Sequence, residues 1–155
     1  MNIIRRYWRI IFPILFVIII WSFSDHNGDT SSLESENIAS IIGVSNGFIR
    51  KFAHFVLFGG LGYSCTSFIK GLHPLTFPKN TQVFYPVVIT TIYGALDEVH
   101  QLTVIGRNGS ATDVLIDALA GVAGVLAYIS FFCFWRIRRA KRNTVESIIA
   151  DSDEA

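Results

Sequence analysis

The stretch from Asp113 to Trp135, DVLIDALAGVAGVLAYISFFCFW, is 23 residues long, and its only charges are the two aspartates near its start. A bilayer span needs roughly 17–25 mostly apolar residues, so this segment reads as a transmembrane helix. Asp113, Asp117, Gly121 and Gly124 fall on one stripe, polar at the beginning and bare further on. Bare glycine lets another helix come close, as in small-xxx-small packing. The stripe predicts a helix that packs centrally with its aspartates turned inward.

The composition of the whole chain agrees. Of 155 residues, 51% are hydrophobic and only 16% charged, where soluble domains carry roughly 25% charged residues. With 13 Phe, 5 Tyr and 3 Trp, the apolar surface exceeds what so small a soluble core would hide. Disorder, a collagen-like repeat and a disulfide scaffold are excluded. Cys65 and Cys133 sit inside apolar runs and form no metal-ligand pattern.

Three further spans are expected. The first runs from about Ile10 to Phe23 (IIFPILFVIIIWSF), extended by Tyr7 and Trp8. Arg5, Arg6 and Arg9 before it resemble the basic region of a signal peptide. No small-residue cleavage site follows, however, and Trp21 and Phe23 occupy the exit, so an anchor is expected. The second span runs from about Phe52 to Ile69 and the third from Val83 to about Leu102. The segment of about 24–49 is polar and acidic at first and reads as a solvated loop, with Ile38 to Ile49 as a short interfacial helix. Gly71 to Thr81, with Pro74 and Pro78, reads as a stiff turn.

Basic residues in short loops mark the cytoplasmic side. A cytoplasmic N-terminus keeps ten of the 13 basic residues inside and leaves only Arg50, Lys51 and Arg107 outside. The expectation is an all-α polytopic membrane protein with four transmembrane helices and both termini cytoplasmic. Residues 1–9 form a basic N-terminus, 10–135 the membrane domain, and 136–155 a basic then acidic tail, frayed after Asn143.

This topology gathers the ionisable residues in one outer layer. Arg50, Lys51 and His54 open the second span, Asp97, Glu98, His100 and Gln101 close the third, and Asp113 and Asp117 open the fourth. Arg50 and His54, Asp97 and Gln101, and Asp113 and Asp117 are each four apart and share a helix face. Adjacent Asp97 and Glu98 point to different faces and make a poor geometric dyad. In the loop Gly106-Arg107-Asn108-Gly109-Ser110, Asn-Gly favours a positive φ, and successive N–H groups there can form an anion nest. Arg107 adds a planar fork suited to phosphate or carboxylate. The sequon at Asn108 is more simply a turn. A charge at mid-membrane costs about 2.5–3.5 kcal/mol on insertion scales, so such a set persists only if paired, solvated or functional. A neutralising salt-bridge network stapling three helices is the plain alternative. For His54, packing and ligand or proton-carrier roles both stay open.

Three segments carry a resemblance: Trp21-Ser-Phe-Ser24, Arg50-Lys-Phe-Ala-His-Phe55 and Asp97-Glu-Val-His-Gln101. They are followed in order by Gly106-Arg107, Gly109-Ser110, Asp113, Asp117, Gly121 and Gly124. Over roughly residues 10–132 the chain resembles the VanZ family, small bacterial membrane proteins named for a teicoplanin-resistance protein. Leu57 and Phe58 stand where the family often has an acidic residue and a Tyr, and Ile105 where Pro commonly precedes Gly-Arg. The resemblance implies the bacterial inner membrane and an effect on glycopeptide susceptibility.

The first functional expectation is a site that binds or modifies an anionic lipid or cell-wall-linked substrate. Arg107, Arg50 and Lys51, with Ser110, would hold phosphate or carboxylate. His54, Asp97, Glu98 and Gln101 are the candidate catalytic set, for general acid–base work or as ligands to a divalent metal. Asp113 and Asp117 would complete the site. The partners implied are membrane lipids and a lipid-linked cell-wall precursor, with no nucleic acid. The alternative is a non-catalytic envelope protein that binds drug, precursor or a membrane partner. A proton-coupled transporter is weaker, because the inner halves of the spans lack ionisable residues.

Overall fold

The computed structural model describes residues 3–25, 41, 43, 45–72, 81–107 and 109–153. Most of the polar loop after the first span, the Pro74–Pro78 turn and Asn108 lie outside the described residues. The described residues form four long helices and no strand: α1 (Ile3–Ser24), α2 (Asn46–Leu72), α3 (Thr81–Gln101) and α4 (Ala111–Asp153). α1, α2 and α4 hold segments long and apolar enough to cross a membrane, at Tyr7–Ser24, Gly47–Gly71 and Ala111–Ser147. The fourth expected span, on α3, is not among them, since Thr, Gln, Asp, Glu and His dilute its apolar residues.

α2 packs most extensively on α4, and the contact is made by main chain. A Cβ at Gly62 would run into the Gly121 carbonyl, and one at Gly124 into the Gly59 carbonyl and, at 2.9 Å, Tyr63 N. α3 closes on the same helix, where a Cβ at Gly121 would meet the Thr90 side chain. α1 lies outermost, with the Phe16 ring filling the space over Gly60. The apolar core is correspondingly small: Ile20, Phe58, Leu61, Cys65 and Ala120, backed by Phe16, Val17, Leu57 and Tyr93. Cys65 and Cys133 are both free thiols.

Polarity in α3 is reversed relative to a soluble helix. Its buried residues are Pro86, Thr90, Gly94, Asp97, Glu98 and Gln101, whereas Phe84, Ile89, Ile92, Leu96 and Val99 face outward. Hydroxyls in the bundle are satisfied on their own helices: Thr66 donates to Gly62 O (2.7 Å), Thr90 to Pro86 O (2.9 Å) and Ser64 to Leu61 O (2.9 Å). A backbone that satisfies its own polar groups is what an apolar medium demands.

The C-terminal run does not fray after Asn143. α4 continues as helix to Asp153, since nothing after Gly124 in it is Gly or Pro, and Arg142 pairs with Glu146 at 3.9 Å one turn on.

The glycine contacts make a paired prediction. Gly124→Ala pushes a methyl into α2 main chain that cannot turn aside, and should destabilise by about 1–3 kcal/mol. Gly59→Ala meets only Ala120 O at an ordinary 3.5 Å and should be neutral or slightly stabilising, because Gly within a helix costs roughly 0.5–1 kcal/mol relative to Ala. Thermal unfolding in detergent micelles separates the two. Equal effects would refute the main-chain contact.

Candidate functional site

The start of α2, the end of α3 and the start of α4 meet at one end of the bundle, beside the end of α1. Antiparallel neighbours and the α2–α4 glycine contact together set the register. His54 on α2 faces Asp117 on α4 (Nδ1 to Oδ1, 3.6 Å) and Lys51 faces Asp113 (3.3 Å). The two aspartates share a face of α4 as expected, with Asp113 in its first turn, where the helix dipole favours a carboxylate. Gly94 leaves room for Asp117, since a Cβ there would lie 3.0 Å from the Asp117 Cβ.

Asp97 and Glu98 are both buried, at 1% and 5% exposure, and have different partners, as their adjacency on a helix requires. Asp97 Oδ2 accepts from Gln101 Nε2 (2.9 Å), which also reaches Ser24 Oγ at 3.4 Å on the last turn of α1. Glu98 Oε2 accepts from the backbone N–H of Ser110 at 2.7 Å. The anion held by this loop is therefore the chain's own carboxylate. Ser110 also caps α4, its hydroxyl accepting from Thr112 N at 3.2 Å.

The loop turns at Gly106, whose φ is +76°, and Gly109 has no positive φ, while Asn108 lies outside the described residues. Gly109 is required by space instead: a Cβ would lie 2.9 Å from Glu98 O. Arg107 follows the turn, is 8% exposed and donates from Nη2 to Phe23 O at 2.9 Å. It thereby satisfies a carbonyl that the end of α1 leaves without a helical partner. Burial lowers the pKa of its guanidinium from the ordinary value, as does the nearby charge of Arg50, while Asp97 and Glu98 raise it.

Nine residues line a cavity of about 150 Å³: Gly47, Arg50, Lys51, His54, Glu98, Gln101, Asp113, Ile116 and Asp117. Seven of the ten candidates named from the sequence are thus brought to one cavity. Asp97 lies beside it, with a carboxylate oxygen within 4.8 Å of ligand atoms of His54 and Asp117. Arg107 and Ser110 do not line it, and instead fasten the loop to α1 and α3. Asp97 Oδ1 and both oxygens of Asp117 are buried without a hydrogen-bond partner among the described residues.

Three side chains have partners that the sequence did not assign. Ser24 is fully buried beneath Gln101. His100 stacks on Trp21 with ring centroids 4.1 Å apart and approaches Asp25 at 3.5 Å. Tyr93 donates its hydroxyl to Val17 O at 2.8 Å. A hydroxyl and an aromatic in the last turn of an apolar helix (Ser24, Trp21) were the available signal. The carbonyl partners left none.

Arg107→Ala would remove the charge-assisted hydrogen bond to Phe23 O, and lowered stability of about 1.5–3 kcal/mol is expected. Thermal unfolding checks it, and an unchanged midpoint would refute the anchoring role.

No curated protein and no solved structure matches the chain. The model of the VanZ/LLP1 family does match, over residues 9–135. That match runs from α1 into α4 and takes in every residue of the cavity. The chain is a membrane protein that belongs to the VanZ/LLP1 family.

Proposed function

We propose that the chain crosses the bacterial inner membrane four times with both termini cytoplasmic, and that its polar cavity receives the anionic headgroup of a lipid or cell-wall-linked substrate on the outer side. The reversed polarity of α3 supports the fourth span, because a helix with aromatic and aliphatic side chains outward and Asp, Glu and Gln inward suits lipid and not water. Ten of 13 basic residues favour the orientation.

The observation that carries the headgroup reading is the cavity itself, which holds Arg50 and Lys51 beside His54, Glu98 and Asp117. Intramembrane ionisable residues mark functional sites by default. At about 150 Å³ the cavity is smaller than the roughly 300–1,000 Å³ of drug-sized pockets. It suits one phosphate or carboxylate group, with acyl chains left outside along exposed Phe48 and Phe52. Arg50 makes no ion pair among the described residues, so its charge is available to a ligand. Glu98 and His54 stand where a proton would be exchanged with a bound group.

A second reading has its own observations. The Lys51–Asp113 pair and the bonds of Glu98 and Arg107 tie helix ends together, which suits a non-catalytic envelope protein whose charges serve assembly. Exchanging the pair (Lys51→Asp with Asp113→Lys) distinguishes the two: restored function speaks for assembly, lost function for a ligand-binding role.

Purified protein should retain phosphatidylglycerol over phosphatidylcholine in native mass spectrometry. Arg50→Ala with Lys51→Ala should weaken that retention by about tenfold or more, equivalent to roughly 1.4 kcal/mol. Undiminished retention would overturn the reading. Cells expressing wild type should be less susceptible to teicoplanin than cells expressing the double variant. For topology, a cysteine at Thr103 should react with an impermeant thiol reagent in intact cells, and one at Thr144 only after permeabilisation. The opposite pattern would overturn the orientation.

A further inference from the structure

We propose that His54, Asp97 and Asp117 bind one divalent transition-metal cation, of the Mn²⁺ or Zn²⁺ kind, beside the cavity. The proposal deepens the headgroup reading and rests on it for the site's purpose, but not for its geometry.

Each of the three residues comes from a different helix, and one imidazole nitrogen and two carboxylate oxygens lie within 4.8 Å of one another. Ligands about 2.0–2.2 Å from a shared ion stand roughly 3–4 Å apart, so small side-chain movements close the set. The carboxylates are enclosed, with Asp97 1% and Asp117 0% exposed. Asp97 Oδ1, Asp117 Oδ1 and Asp117 Oδ2 have no hydrogen-bond partner among the described residues. Buried polar groups are nearly always partnered, and two buried carboxylates with unpartnered oxygens beside one imidazole call for a cation.

Histidine alone does not supply it. At 3.6 Å the His54–Asp117 approach is too long for a hydrogen bond, and a protonated His54 would serve Asp117 while leaving Asp97 Oδ1 bare. A metal ion serves all three. Gln101 holds the other oxygen of Asp97 at 2.9 Å, the kind of outer contact that orients a ligating carboxylate.

Charge balance points the same way. Around the cavity four carboxylates (Asp97, Glu98, Asp113 and Asp117) stand against three cations (Arg50, Lys51 and Arg107). A divalent ion turns that excess of negative charge into a net positive one suited to an anionic headgroup, and leaves coordination positions for water or a headgroup oxygen. One nitrogen with two oxygens suits Mn²⁺ or Zn²⁺ better than Ca²⁺ or Mg²⁺, which favour all-oxygen surroundings.

The test uses the full chain in detergent, stripped with EDTA, equilibrated with Mn²⁺ or Zn²⁺, and desalted. Inductively coupled plasma mass spectrometry should then find about one ion per chain, and the thermal midpoint should rise. Asp97→Asn, Asp117→Asn and His54→Phe should each lower metal affinity at least about 100-fold, more than the roughly 10–100-fold cost of altering an outer partner, such as Gln101→Leu. Asp25→Asn should change nothing. Wild type that keeps its helical circular dichroism yet takes up no metal would overturn the proposal, and so would equal uptake by all three ligand variants. Stripped protein that still retains phosphatidylglycerol but binds no metal overturns the metal site and leaves the headgroup reading standing. Metal uptake without lipid retention does the reverse.

Discussion

The contact between α2 and α4 is made by backbone on both sides, and the rotation of one helix against the other is thereby set. Side-chain interfaces have slack, because rotamers absorb small shifts. Gly62 against the Gly121 carbonyl and Gly124 against that of Gly59 have none. Both helices begin at the same end of the bundle, so this contact decides which residues meet a few turns earlier. Lys51 is delivered to Asp113 and His54 to Asp117. The chemistry at the helix starts depends on bare positions deeper in the bundle.

α3 completes the arrangement under the same constraint. Thr90 lies on Gly121, and Gly94 lies beside Asp117, so the third helix sits close enough to bring Asp97 and Glu98 to the α2–α4 seam. Charges enclosed by apolar surroundings cost several kcal/mol each unless compensated. Glu98 is compensated by the Ser110 amide, and Arg107 by the Phe23 carbonyl. Asp97 and Asp117, which lie where the three helices converge, keep three buried oxygens without a hydrogen-bond partner among the described residues.

Hydrophobic runs were enough to locate the helices, and spacing by four was enough to pair Asp113 with Asp117 and Asp97 with Gln101. The glycine stripe was legible too, because absence of a side chain is itself a sequence signal. The roles of Arg107 and Ser110 were not. Their partners are a carbonyl 84 positions away and a carboxylate 12 positions away, and every residue carries a carbonyl, so nothing in the letters singles one out. The positive φ at Gly106 was not legible for a related reason. Asn-Gly is a local preference, but the chain leaves α3 through turns at Gln101 to Val104 and must reverse at Gly106. Extension of α4 past Asn143 was hidden by an acidic ending that reads as solvated whether helical or not.

In the four-span arrangement, the inverted polarity of α3 bears on how the protein is made. A helix that hides Thr90, Asp97, Glu98 and Gln101 behind its neighbours cannot enter lipid by itself without presenting them to the acyl chains. The helix that covers them, α4, follows α3 in the chain and leaves the ribosome after it. In that arrangement α3 would enter the bilayer together with α4, its polar face already covered. Biogenesis of the site and assembly of the bundle would then be one event.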